Sequence, residues 1–245
     1  MADFNAATLD ATVESLRSGL TTLNGHLNRV GPATRAATSV PLMPDFIKDG
    51  LVWCGERLVE IGSAVLDKIG ELLLGALAPG AFFFRAMDWH DSVGGPASDV
   101  AGAIHPNALR ATRSWSGDAA SSYSASVAGQ TTAASAIQAV SSSAATALVT
   151  CAVAGLAFYV ALAAILVKLI AATAAAIAAF GSVVFSWAGV AIIIEEAAVN
   201  SALIFAAIGT LMAVLGAQGN AIVQMKSTVT SGAAFPGGAW PVGTA

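Results

Sequence analysis

From position 119 to its end this chain holds only four charged side chains, Lys168, Glu195, Glu196 and Lys226. Three uncharged runs result, 119–167, 169–194 and 197–225. Alanine, leucine, isoleucine and valine dominate them. A helix that is apolar all round belongs in lipid or fully inside a protein core. Positions 1–118 are different, carrying 9 of the 11 basic and 13 of the 15 acidic side chains. The sequence therefore divides into an amphipathic helical region, 1–118, an Ala-rich apolar region, 119–226, and a flexible Gly/Pro tail, 227–245.

Hydropathy alone gives three spans, 146–167, 169–194 and 197–217, each long enough for about 30 Å of hydrocarbon, which needs about 20 residues. Lys168 alone, or Glu195-Glu196, is too short to reverse a chain between spans. Phe180-Gly181-Ser182 is the better turn. Lys168 and Glu195 lie almost equally far along the chain on either side of Gly181. At a helical rise of about 1.5 Å per residue both charges then sit about 20 Å from the tip, level on antiparallel arms. Pairing Lys168 with Glu195 or Glu196 lowers the cost of taking either into lipid, several kcal/mol if unpaired. This predicts a helical hairpin, about 147–179 and 183–217, with Ala171, Ala175 and Ala179 as a small-residue stripe between the arms. Such a hairpin inserts into a bilayer or packs in a helical bundle, and the membrane is the preferred reading. Trp187 suits either an interface or packing.

Only 11% of residues are charged, against about a quarter in soluble domains. The net charge of −4 leaves no positive excess for a nucleic-acid backbone. Asp88-Trp89-His90-Asp91, in a loop expected over 86–98, is the one cluster resembling a metal or acid–base site. His26 and His105 stand alone, so a solvated loop with an anchoring Trp is preferred. No nucleophile elbow, phosphate loop or dinucleotide fingerprint is present. No cofactor, metal or catalytic residue is expected, and the reading is non-enzymatic. Cys54 and Cys151 read as small buried hydrophobes. The acidic opening Met1-Ala-Asp-Phe-Asn, with no continuous apolar run as far as Val30, predicts no Sec signal peptide.

Within 1–118, Leu9, Val13, Leu16, Leu20, Leu23, Leu27 and Val30 alternate spacings of four and three, predicting a helix over 6–30 with a seam for a partner helix. Gly31-Pro32 should stop it, leaving 32–44 as a connector. A second helix is predicted over 45–78, with its stripe through Ile47, Leu51, Cys54, Leu58, Ile61, Val65, Ile69 and Leu72, ended by Pro79-Gly80. Phe82-Phe83-Phe84 beside Arg85 suits a core gap or a lipid interface.

The most specific local signal is Trp115-Ser116-Gly117-Asp118-Ala-Ala-Ser-Ser-Tyr123, after the basic stretch 107–114. Gly117 permits the turn, Trp115 is expected to pack in the angle between two helices, and Asp118 favours the new helix's N-terminus. With the seam Val127, Ala134 and Ile137, this resembles the W-x-G helical-hairpin family of type VII (ESX) secretion-associated proteins of actinobacteria. It is similar in layout to larger members with a hydrophobic segment after the W-x-G helix. The resemblance implies an all-α fold, export without a Sec signal and pairing with a small W-x-G partner, with Tyr123 in the hairpin packing. Two departures stand out. The family's Tyr-x-x-x-Asp/Glu export signal is missing, since Val127 follows Tyr123 and Ala163 follows Tyr159 at that spacing. Residues 45–85 form an insertion that a minimal hairpin lacks.

Together these readings predict an all-α protein that pairs through its seam and inserts its hairpin into a membrane, with homo-oligomerisation and pore formation open. Its expected place is the cell membrane, or secreted and membrane-associated. Two alternatives remain: a resident multi-pass scaffold or immunity protein, and a soluble interaction protein with a masked hairpin.

Overall fold

A computed structural model describes residues 4–180, 187–230 and 232–242, and side chains there except 111–112 and 187–201. The protein is all-α, with no strand among the described residues. Among the described residues seven α-helices follow in order: α1 Ala6–Thr38, α2 Asp45–Leu73, α3 Ala78–Trp89, α4 Gly95–Ala103, α5 Ala111–Ser114, α6 Asp118–Phe180 and α7 Trp187–Thr230. A π turn, His90–Gly94, joins α3 to α4. The chain forms two compact units, each discontinuous: Asp3–Ala78 with Ala154–Met212, and Pro79–Val153 with Ala213–Ala245. They cut across the composition break near 118.

In the first unit, α1 begins where Asn5 Oδ1 accepts the Thr8 N–H at 3.1 Å, an N-cap worth about 1 kcal/mol. Leu9, Val13, Leu16, Leu23, Leu27 and Val30 are buried, and Leu20 is half-buried. The cover is the chain's own α2 and the second half of α6, so the seam's helical partner is supplied internally. A Cβ built on Gly55 would meet Thr34, and one on Gly62 would meet Leu27. The two glycines and their two neighbours are separated by the same stretch of chain, in opposite order. The helices α1 and α2 are thus an antiparallel pair in heptad register. The end of α6 closes this core, with Val30, Leu51, Cys54, Leu58, Ala176 and Phe180 in one cluster.

Several expected breaks are displaced. The helix α1 runs through Gly31-Pro32 to Thr38 rather than stopping. A proline inside a helix costs about 3 kcal/mol. Val30 and Thr34 are nonetheless buried against α2, and that packing carries α1 through the proline. The second break falls at 74–77 rather than at Pro79-Gly80, because Pro79 sits in the first turn of α3, where no N–H is required. The expected loop 86–98 is helical: α3, the π turn and α4 run through it, with Pro96 in the first turn of α4.

In the second unit, the first half of α6 buries Ala120, Val127, Ala133, Ala134, Ser141, Ala147 and Cys151. The buried Ser141 hydroxyl donates to the Trp89 carbonyl, and Gly94 gives it room. Within the described part of 227–242 the expected free tail is replaced by helix and a return contact. The helix α7 extends to Thr230, and beyond it the Gln130 side-chain amide donates to the Pro241 carbonyl at 3.2 Å. Positive φ at Gly232, Gly237 and Gly238 makes that return path possible.

Candidate functional site

The turn at Trp115–Gly117 is built between a one-turn helix, α5, and the start of α6. Gly117 has φ of 105°, a conformation that favours glycine over every residue with a Cβ. Its carbonyl accepts the Ser121 N–H at 3.1 Å and the Ser121 hydroxyl at 3.2 Å. Asp118 is exposed in the first turn of α6, next to the positive end of that helix. Trp115 is 45% exposed rather than wedged between helices. The single turn of α5 before it offers no second wall. Its ring rests instead on Tyr123, centroids 5.7 Å apart and planes tilted by 48°. Arg113 steadies the approach by donating to the Asn107 carbonyl at 3.2 Å.

Two helical stretches, Asp118–Phe180 and Ala202–Thr230, are long and apolar enough to cross a membrane. They differ in cover. Of the most apolar 18 residues of the first, 39% are buried within the protein; of the second, 6%. Phe205, Met212, Ile222 and Val223 of α7 are all more than 60% exposed. In the second half of α6, one stripe through Leu162, Leu166, Leu169 and Thr173 is fully buried, while Val167 on the other side is exposed. The packed alanines there are Ala172 and Ala176; Ala171 and Ala175 of the expected stripe are exposed, and Ala179 is half-buried.

Lys168 is exposed on α6. The expected tip, Gly181-Ser182, and the side chains of Glu195 and Glu196 lie outside the described residues, as does Trp187's side chain. Their backbone at 187–201 is helical.

Asp88-Trp89-His90-Asp91 spans the end of α3 and the π turn. Asp88 pairs with Arg85 at 3.2 Å, and His90 Nδ1 lies 2.9 Å from Asp91 Oδ1, all exposed. Among the described residues no three His, Cys, Asp or Glu side chains gather as metal ligands do. Phe84 is 63% exposed and Phe82 and Phe83 are half-buried, so the aromatic triplet fills a core gap only in part. Cys54 and Cys151 are both free and buried, and burial pushes the Cys54 thiol above its ordinary value.

Sequence reasoning misses two polar contacts that fix helices in place. They are the Ser141 hydroxyl on Trp89 and the Tyr159 hydroxyl on the Leu72 carbonyl at 2.9 Å. Each is a single polar group in a long apolar or Ser/Ala run, with no motif around it. No family model, curated protein or solved structure matches this chain.

Proposed function

We propose that this protein is a non-enzymatic, membrane-inserting helical protein of the type VII secretion-associated kind. The observation that carries the membrane part is the 6% burial of the apolar stretch within Ala202–Thr230. Exposed apolar surface costs about 25 cal/mol per Å² in water, and lipid or a partner removes that cost. A soluble monomer rarely leaves so long an apolar face uncovered. The type VII part rests on the resemblance around Trp115–Tyr123, where Gly117 adopts a conformation suited to a glycine turn.

In this reading α1 and α2 act as the cover of α6. They bury its stripe through Leu162, Leu166 and Leu169 before insertion. Insertion tip-first then exchanges the α1–α2 cover for lipid and carries Lys168 inward with Glu195 or Glu196 as its counter-charge. With the Leu9–Leu27 seam occupied internally, a helical partner or a second copy binds the exposed face of α7 instead. The masking of α6 also favours a second reading, a soluble interaction protein whose hairpin is held by a partner.

Flotation with vesicles of phosphatidylcholine and phosphatidylglycerol tests the proposal, alongside carbonate extraction of cells making the protein. The proposal expects co-flotation with vesicles and a carbonate-resistant membrane fraction. Recovery solely as a soluble species that leaves vesicles untouched would overturn it.

A further inference from the structure

The second compact unit contains a cavity of about 660 Å³ between the first half of α6 and the last turns of α7, roofed by α3. Phe82, Trp89, Leu148, Leu215, Ile222 and Met225 make its wall almost wholly hydrocarbon. Its polar lining is confined to α7: Gln218, Lys226 and Thr230. Among the described residues Lys226 is the one charged group of the wall, and it has no ion pair there. An apolar trough with a single unpaired cation asks for an apolar chain bearing a single negative charge.

We propose that this cavity binds one long-chain fatty acid, with its acyl chain along the trough and its carboxylate on Lys226. Size favours one chain. Cavities that hold small ligands run about 300–1,000 Å³ and are mostly apolar with few polar groups. A cavity of about 660 Å³ lies within that range and is large enough for one acyl chain. The wall is also held in shape. The Ser141 hydroxyl donates to the Trp89 carbonyl, and the chain turns there through the π turn His90–Gly94. Turns of this kind inside helices are frequent at functional sites. Gly94 is needed at that point, since a Cβ there would come within 2.9 Å of Ser141 Oγ. Every residue that forms the site lies in one compact unit.

The test is equilibrium binding of radiolabelled palmitate, and separately of hexadecanol, to the full chain transferred from detergent to an amphipathic polymer. Wild type should saturate at one palmitate per chain. Lys226→Gln should weaken palmitate about fivefold, the scale of an exposed charge pair, and leave hexadecanol, equally long but uncharged, unchanged. Ala144→Trp and, independently, Val140→Phe fill the cavity and should suppress both ligands while helical content by circular dichroism stays constant. Non-saturable uptake, binding indifferent to both filling substitutions, or equal loss of both ligands in Lys226→Gln would each overturn the site. Vesicle flotation of the same variants separates this site from membrane insertion. Lost palmitate binding by wild type with intact flotation refutes the site alone.

Discussion

The Tyr159 hydroxyl donates to the Leu72 backbone carbonyl at 2.9 Å, across 87 positions of sequence. The acceptor lies in the last turn of α2, where carbonyls lose their intrahelical partners. The Gly75 N–H reaches the same oxygen at 3.2 Å. One phenol thus joins the end of α2 to the apolar α6, and the surrounding ring packs T-shaped on Phe158, centroids 5.2 Å apart.

Tyr159→Phe keeps the ring and removes the donor. Leu72 retains Gly75, so the loss should be about 1 kcal/mol, the ordinary net worth of one hydrogen bond. Thermal unfolding followed by circular dichroism should show a melting point lowered by a few degrees. An unchanged melting point would show that the hydroxyl serves water as well as it serves Leu72.

The antiparallel register of α1 and α2 makes a paired prediction. Gly62→Ala drives a Cβ toward Leu27 and Gly55→Ala drives one toward Thr34, both buried. Each should cost about 1–3 kcal/mol as overpacking. Gly70→Ala, with nothing within 4 Å of its Cβ, should instead stabilise by about 0.5–1 kcal/mol, because glycine is a poor helix former. Urea unfolding midpoints should move in opposite directions. A common direction for all three would contradict the close approach of the two helices.

The seam of this pair is legible in the sequence because the alternating spacing from Leu9 to Val30 admits one buried stripe. What the spacing does not encode is whose helix covers it, and here α2 and α6 do so. Pro79 misleads as a stop signal because it opens α3, where no N–H is required; Pro32 misleads for another reason. A local rule gives the cost of a break, whereas tertiary packing, such as that of Val30 and Thr34, decides whether that cost is met. Gly117 is readable, since a turn between helices calls for a residue that tolerates positive φ. The exposure of Trp115 is not, because it depends on the brevity of α5. Ser141 lies in a run of three serines, and nothing local distinguishes the buried one.

Burial of Cys54 gives a pH dependence. The folded thiol holds its proton to higher pH than the unfolded thiol, whose ordinary value is 9.0. Stability from this group is complete below that value and falls as pH rises through and beyond it, where the unfolded chain alone ionises. In a Cys151→Ser background, N-ethylmaleimide should label Cys54 slowly at pH 8 and rapidly after urea unfolding. Fast labelling of the folded protein would contradict the burial.

At the turn, Gly117→Ala forces a Cβ into a backbone conformation it disfavours and should cost about 1–2 kcal/mol. Trp115→Ala should cost less than the about 3–5 kcal/mol of a core tryptophan, since its main contact is the Tyr123 ring. Removal of Tyr123 should make the Trp115 substitution nearly silent, a coupling of about 0.5–1.5 kcal/mol in a double-mutant cycle. Fully additive effects would detach the two rings.

The hairpin is tested by charge exchange. Lys168 is exposed on α6, and its level on an antiparallel arm is expected near Glu195 and Glu196. Lys168→Glu would place three carboxylates at one height, where like charges cost several kcal/mol each in low dielectric. Vesicle association should fall by tenfold or more, about 1.4 kcal/mol per factor of ten. Adding Glu195→Lys and Glu196→Lys restores opposite signs across the arms and should recover part of the loss. Absence of any rescue would assign the two charge positions to separate levels, and with them a turn other than Gly181.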